Sequence, residues 1–333
     1  MSKPIIVSGV QPTGNLHLGN YLGAVKNWVD LQNSGKYQMY VFIADLHSLT
    51  GNMPADQRRR QVIETAAELL AAGIDPKKTT LFVQSQIKEH AELGWIFSCI
   101  TPIAELERMT QYKDKSQQQE KNMNAGLFTY PVLQAADILL YHGNLVPVGQ
   151  DQIQHVELTR DIARWFNNRY SAYSADKNKY FPETKHLLTD VPKVMSLLEP
   201  EKKMSKSLGA GHVIELADEP DAIKQKLKKA VTETSGGGNA PGVQNLMLLL
   251  QKFSTSKTYQ KFVTTEKDGS IRYGDLKLAT GKAIGEYFTD FRKRRAKLLS
   301  NPNQLKKILT SGAKKAESVA KKTMVEVRER VGI

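Results

Sequence analysis

From Ile5 to Gln84 the chain alternates between strand-like and helix-like stretches, and this alternation most constrains what it can fold into. Ile5–Val10 is a short β-branched run ended by the turn-rich segment Gln11-Pro12-Thr13-Gly14-Asn15. Leu22, Val25, Trp28, Val29 and Gln32 follow a helical pattern that Gly35 is placed to stop. Gln38–Ala44 is a second strand candidate. Asp56–Ala72 carries Val62, Ile63, Ala66, Leu69 and Leu70 at helical spacing with Gly73 at its end, and Thr79–Gln84 makes a third strand. Strands separated by single helices predict an α/β fold, a parallel sheet covered by helices. Such sheets bind ligands at the carboxyl ends of their strands, near the point where strand order reverses. The loops after Val10, Ala44 and Val148 are therefore where chemistry is expected.

After about Asp218 the character changes. Lys-rich helical stretches replace strands, Ser235-Gly236-Gly237-Gly238-Asn239 reads as a flexible link, and Val243–Phe253 and Ile284–Ser300 read as helices. An all-helical region is expected from about Ile223 to Ile333, giving two domains, 1–215 and 216–333. No internal repeat is visible. A length of 333 residues suits two domains of roughly 150 residues each.

Composition excludes several classes. Hydrophobic residues at 40% and charged residues at 24% are those of a soluble globular protein rather than a disordered one. A single cysteine, Cys99, excludes an internal disulfide and any iron–sulfur or zinc site built on several thiolates. No run approaches the roughly 18 apolar residues of a membrane span. Met1-Ser2-Lys3-Pro4 passes straight into Ile5-Ile6-Val7, with no signal or transit pattern. A reducing, cytoplasmic location is the expectation.

The net charge of +13 is unevenly placed. From Phe291 to Ile333 there are 13 Lys and Arg against Glu317, Glu326 and Glu329, so +10 of the total lies in the tail. Such a tail attracts polyanions, a nucleic-acid backbone above all, or it is a solvated helix face that aids solubility. Charge alone leaves both open.

Two motifs carry chemistry. The first is Pro12-Thr13-Gly14-Asn15-Leu16-His17-Leu18-Gly19-Asn20, between a strand and a helix. It has neither the G-x-G-x-x-G spacing of a dinucleotide site nor the G-K-[ST] of a P-loop. Gly19 would let the backbone approach a ligand, amides at the helix start would face an anion, and His17 and Asn20 would add donors to phosphate oxygens. A turn followed by a capped helix is the plainer reading. The second motif is Lys203-Met204-Ser205-Lys206-Ser207, followed by Leu208-Gly209-Ala210-Gly211. Two lysines three apart with small residues between them suit a mobile loop that places cations on a polyphosphate, where they stabilise charge on a transferring phosphoryl group. A solvated Lys/Ser loop is the alternative, which the first motif upstream disfavours.

The H-x-G-N turn paired with Lys203–Ser207 resembles the class I aminoacyl-tRNA synthetases, and within them the tryptophanyl-tRNA synthetases of the bacterial and mitochondrial type. Four further stretches carry the likeness: Ser8–Gly14, Glu107–Lys115, Ala135–Tyr141 and Val146–Gln152. The resemblance implies a Rossmann-like catalytic domain and a helical tRNA-binding region. It implies that Gln11, Pro12 and Thr13, with His17, Gly19 and Asn20, hold the ATP phosphates. Gly149, Gln150 and Asp151 would hold adenosine, Asp151 on the ribose hydroxyls, and Val194 would flank the adenine. Lys203 and Lys206, helped by Lys115, would bind the leaving pyrophosphate, and Met204, Ser205 and Ser207 would belong to the ATP site. Lys203, Lys206, Lys115 and Gln11 are thus the implied catalytic set.

For the amino acid, the resemblance implies that Asp137 accepts the indole N–H of tryptophan. Gln111 and Gln152 would line the amino-acid end, with His47 and Val7 completing the pocket. Asp137 stands among Ala135, Ala136, Ile138 and Leu139 on a helix expected to begin beside Pro131, where an unpaired carboxylate would be costly. A dedicated acceptor can reject an analogue lacking the donor by up to ~10⁴–10⁵-fold. The alternative is a surface carboxylate or one capped by Arg. Gln134 stands where many bacterial relatives carry Met, and Gln134-x-x-Asp137 is similar to the tyrosine enzymes. Against tyrosine, the first strand offers no Tyr near Val7–Val10, and Lys113-Asp114-Lys115-Ser116 fits the tryptophan pattern. Gln150 stands where many relatives carry Glu.

The implied reaction needs ATP with Mg²⁺ carried on its phosphates, L-tryptophan and tRNA(Trp), in a homodimer with no membrane partner. Arg292-Lys293-Arg294-Arg295 and the Lys pairs 306/307, 314/315 and 321/322 are the expected backbone contacts, and truncation after Phe291 is expected to impair aminoacylation far more than adenylate formation. Two other classes are weighed against this: a nucleotidyl transferase that uses no tRNA, and an inactive tRNA-binding relative. The basic tail counts against the first, and intact Gly19, Asp137, Lys203 and Lys206 against the second.

Overall fold

A computed structural model describes residues 3–110, 123–170, 179–188, 192–232 and 240–333. Five strands, β1 (Ile5–Val10), β2 (Gln38–Ile43), β3 (Thr79–Val83), β4 (Leu145–Val148) and β5 (Lys185–Leu188), form one sheet in the order β3-β2-β1-β4-β5. Every pairing is parallel. Strand order reverses between β1 and β4, so the switch-point crevice lies beyond Val10 and Val148. This is the expected α/β, Rossmann-like architecture. β2 reads as a nearly unbroken apolar run because helices cover both faces of a parallel sheet, and Met39 to Ile43 are all buried.

Contacts divide the chain into two compact units. One comprises Met1–Gly14, Asn27–Asp190 and Asn301–Ile333; the other comprises Asn15–Lys26 and Val191–Ser300. These units do not follow chain order around residue 215. The first contains the sheet, and its core gathers Val7, Tyr40, Phe42, Phe82 and Tyr141 together with Ala316, Ala320, Met324 and Val327 of the last helix, Pro302–Val331. That helix passes so close to β3 that a Cβ on Gly312 would stand 1.8 Å from the carbonyl oxygen of Leu81. It covers the strand at the outer edge of the sheet, whose unpaired backbone would otherwise template aggregation.

The second unit is helical beyond Glu219, with helices Pro220–Lys229, Pro241–Phe253, Ser256–Lys267, Tyr273–Tyr287 and Thr289–Leu299. The single helix expected over Ile284–Ser300 is two, since Phe288 departs from helical geometry at φ −93°, ψ 13° and buries its ring among Tyr21, Phe253 and Phe291. Ser235–Asn239, expected to be a flexible link, lies outside the described residues. The helix expected from Leu22 begins instead with a wide π turn over Tyr21–Val25 and becomes regular at Lys26.

Candidate active site

Asp137 lies on helix Ala125–Leu139. The helix starts at Asn124, whose side chain accepts the amide of Leu127, and Pro131 sits inside it rather than at its start. A cap at one end and nine buried residues along the helix outweigh the one hydrogen bond that Pro131 cannot donate. Asp137 is 0% exposed. Three segments following strand ends converge on it. His47, in the short turn after β2, places Nε2 2.7 Å from Oδ2. His90, in helix Glu89–Ser98, places Nδ1 2.6 Å from Oδ1. Gln84, directly after β3, donates its Nε2 to Oδ1 at 2.7 Å, while its Oε1 accepts the amide of Leu46 at 3.1 Å. Asp137 is therefore neither a surface carboxylate nor one capped by Arg. Burial alone would raise its pKa, but the hydrogen bonds and charges of His47 and His90 hold it below the ordinary carboxylate value. It is an ionised acceptor inside the fold.

Sequence reasoning missed Gln84, His90 and Tyr141, whose hydroxyl lies 2.8 Å from Nε2 of His90. Their only sequence signal is that Gln84 and His90 follow a strand end, as His47 does. Val7 is wholly buried in the same apolar cluster as Tyr40 and Ile138. Gln152 is half-buried and donates its amide to the Gly149 carbonyl at 3.1 Å. Gln111 and Lys115 lie outside the described residues.

At the switch point, Gln11 is half-buried, Pro12 buried and Thr13 exposed, and the amide of Thr13 turns back on the Gln11 carbonyl at 2.9 Å. Gly14 at φ 113° makes the turn that follows. Opposite this loop, beyond β4, Gly149 precedes the short turn Gln150–Gln152, which carries the Asp151 backbone. Both loops thus flank one crevice, as the strand order requires.

The second unit brings the other two motifs together. His17 caps the three-residue helix Leu18–Asn20, and the Oδ1 of Asn20 accepts the amide of His17 at 3.2 Å. Here the structure corrects an expectation: the first helical amides do not face an open anion site. Leu18 donates to the Ile214 carbonyl at 3.0 Å and Gly19 to Nδ1 of His17 at 3.1 Å. Because Nδ1 accepts, a neutral His17 carries its proton on Nε2, the remaining donor. Its pKa is pushed down to about 4 by burial first, then by Lys206 and Lys203. The lysine loop and the His17 turn therefore feel each other's charge. The side-chain carbonyl of Asn20 is committed to the cap.

Lys203 is anchored by a bridge to Met195, and Met204 is buried with its amide on the carbonyl of Val194, which is itself buried. Asn245 clamps Met195 through both its carbonyl and its amide at 2.9 Å. The loop expected to be mobile is thus tied down at its start, through Lys203 and Met204. Beyond it Ser205 accepts the amide of Ser207, and Gly209 at φ 115° supplies a backbone turn that other residues resist. Among the described residues, no group of three or more His, Cys, Asp or Glu side chains converges as a metal site, and no helix is long and apolar enough to cross a membrane.

Helix Pro302–Val331 presents Lys306, Lys307, Lys314, Lys315, Lys321 and Lys322 to solvent, and Asn303, Lys306, Lys307, Thr310, Ser311 and Lys314 line a shallow open groove. Arg292 behaves differently: its guanidinium donates to the carbonyl of Gly285 at 2.6 Å.

Residues 1–289 match the family model of class I tRNA synthetases (W and Y). Over 338 aligned residues the chain is 44% identical to a tryptophan–tRNA ligase of Wolinella succinogenes, covering 100% of both. Among solved structures it is similar to the tryptophanyl-tRNA synthetase of Campylobacter jejuni complexed with ADP and tryptophan, with a TM-score of 0.84, 35% identity and coverage of 99% of this chain and 100% of that one. The enzyme of Mycoplasma pneumoniae gives a TM-score of 0.85 at 32% identity, covering 100% and 98%.

Proposed function

Since the chain belongs to the class I tRNA synthetases of the tryptophan and tyrosine group, we propose that it is a tryptophan–tRNA ligase. It condenses L-tryptophan with ATP to tryptophanyl-adenylate and pyrophosphate, then transfers tryptophan to tRNA(Trp). A likeness of 44% identity over the whole length of a tryptophan–tRNA ligase carries this reading, and Asp137 gives it a physical basis.

The carboxylate of tryptophan is ionised at neutral pH and needs no general base. It attacks the α-phosphorus, and pyrophosphate leaves in line. Catalysis is then positioning and charge stabilisation. In the first unit, Gln11, Pro12 and Thr13 meet the phosphates, and Gly149, Gln150 and Asp151 meet adenosine. In the second unit, His17, Gly19 and Asn20 meet the phosphates, Val194 flanks the adenine, and Lys203 and Lys206, with the rest of the 203–207 loop, take the charge that builds on pyrophosphate. Lys115 adds a further cation. Mg²⁺ arrives with ATP, on its phosphate oxygens. Neutral His17 serves as an N–H donor, not as a cation. Its lowered pKa supports that role.

Asp137 takes the indole N–H, with His47, Gln111, Gln152 and Val7 around the amino acid. An ionised carboxylate offers about four acceptor sites, and three are already filled here. The fourth, on Oδ2, is the acceptor for the substrate. A hydroxyl of the terminal adenosine of tRNA, the 2′-hydroxyl in this family, then attacks the adenylate. The exposed lysines of the last helix and the basic run after Phe291 contact the tRNA backbone, and residues 216–333 supply most of that surface. The enzyme works as a cytoplasmic homodimer; exposed Trp95 and Ile103, on helices of the first unit, fit a contact between subunits.

The test is amino-acid-dependent pyrophosphate exchange into ATP without tRNA, comparing tryptophan, tyrosine and phenylalanine. Exchange with tryptophan alone is expected. Exchange with tyrosine would overturn the assignment and give Gln134 the deciding role.

A further inference from the structure

Oδ1 of Asp137 is reached by both His90 and Gln84, while Oδ2 is reached by His47. An ionised carboxylate only accepts, so each imidazole must donate: His47 from Nε2 and His90 from Nδ1. In the Nδ1–H tautomer of His90, Nε2 accepts, and the hydroxyl 2.8 Å away on Tyr141 is the donor to it. Tyr141 is held protonated, its pKa raised by burial first and then by the charges of Asp137, Tyr40 and Glu89. The result is a directed chain, Tyr141 to His90 to Asp137, whose bonds polarise one another. Tyr141 is itself fixed by Tyr40, which stacks on it at 4.6 Å between ring centroids. Asp137, His90, Tyr141 and Gln84 are all 0% exposed, whereas His47 retains 6%. Of these five residues, only the one bonded to Oδ2 retains any exposure.

Resting on the reading of Asp137 above, we propose that His90 is a positioning residue for tryptophan selection: with Gln84 it saturates Oδ1 and turns the one open acceptor site, on Oδ2, toward the indole N–H. His90 touches no substrate. It acts by fixing the carboxylate plane, and Tyr141 acts by fixing the tautomer of His90. Without that donor, Asp137 is free to rotate and to spend its open site on another partner. Recognition of the N–H then suffers while the rest of the amino-acid pocket is left in place.

A pair of substrates separates this from a merely structural role. Tryptophan and its benzothienyl analogue, in which sulfur replaces the indole N–H, are compared in pyrophosphate exchange. His90→Leu removes the donor with little change of volume, and His90→Asn restores an N–H near the position of Nδ1. A hydrogen bond to a charged group is worth about tenfold or more in binding. His90→Leu is expected to raise the KM for tryptophan about tenfold, to leave the KM for ATP and that for the analogue nearly unchanged, and His90→Asn to recover most of the loss. Equal losses for tryptophan and the analogue, or none in folded His90→Leu, overturn the proposal. If His90→Leu does not fold, His90→Asn decides alone. Its tryptophan-to-analogue preference must then stay near that of the native protein, against a collapse in Asp137→Asn. Asp137→Asn also separates the two claims: if that variant keeps its preference for tryptophan, the reading of Asp137 itself fails, whatever His90 does.

Discussion

Nδ1 of His17 accepts the amide proton of Gly19 at 3.1 Å, so the ring caps its own short helix and holds its other nitrogen as the donor. Burial and the charges of Lys206 and Lys203 bring its pKa to about 4 from an ordinary 6.5. As pH falls below 6.5 the unfolded chain takes up this proton first, and the folded protein follows only near 4. Stability from this group is thus complete above pH 6.5 and is lost as pH falls through about 4, on the order of 3 kcal/mol in all. In urea unfolding at pH 7, 5.5 and 4.5, His17→Asn should lose less stability with acid than the native chain. Parallel pH profiles would rule out this origin.

The same contact restricts Gly19. A Cβ there would stand 2.9 Å from Cε1 and 3.0 Å from Nδ1 of His17. Gly19→Ala must displace the ring and with it the cap, at a cost of about 1–3 kcal/mol for overpacking. Pyrophosphate exchange should fall at least tenfold with the variant still folded at 25 °C. Native exchange rates in Gly19→Ala would show that the position of the ring is immaterial to the phosphates.

Gly312 sets how closely the last helix can cover β3. Its Cβ would meet Leu81 backbone at 1.8 Å, which no rotamer change relieves, so Gly312→Ala must push the helix away from the sheet edge. The expected loss is 3 kcal/mol or more, roughly the upper end of overpacking, seen as a lower urea midpoint and faster aggregation on heating. A midpoint within error of the native value would contradict the packing described.

Truncation after Phe291 does not isolate the role of the tail. It removes Leu305, Leu309, Ala316, Ala320, Met324 and Val327, which are buried, five of them with no exposure above 0%. Adenylate formation should be lost with the fold. The clean test is Lys306→Gln, Lys307→Gln and Lys314→Gln together, since these side chains are exposed. Exchange should be unchanged, while tRNA affinity weakens and its salt slope falls by about one for each phosphate contact removed. An unaltered slope would mean that these lysines meet only solvent.

Much of this molecule is legible in the chain. Alternating apolar runs and helical spacing determine the parallel sheet, because the periods of strand and helix are local properties of consecutive residues. The His17–Asn20 turn and Lys203–Ser207 announce themselves for the same reason, since each is a short contiguous string. Asp137 could be singled out because a carboxylate among Ala and Leu is conspicuous. Two of its partners, Gln84 and His90, could not. They follow the end of β3 while His47 follows the end of β2, and only the parallel pairing of those two strands brings the three side chains to one carboxylate. Nor does charge reveal that the last helix is structural: its lysines lie on one face, and the residues that grip β3 are small and apolar at helical spacing on the other. Tertiary structure alone decided which His17 nitrogen is committed, which Asp137 oxygen is left open, and how closely Gly312 meets Leu81, because each depends on groups far apart in sequence and packed to within a few tenths of an ångström.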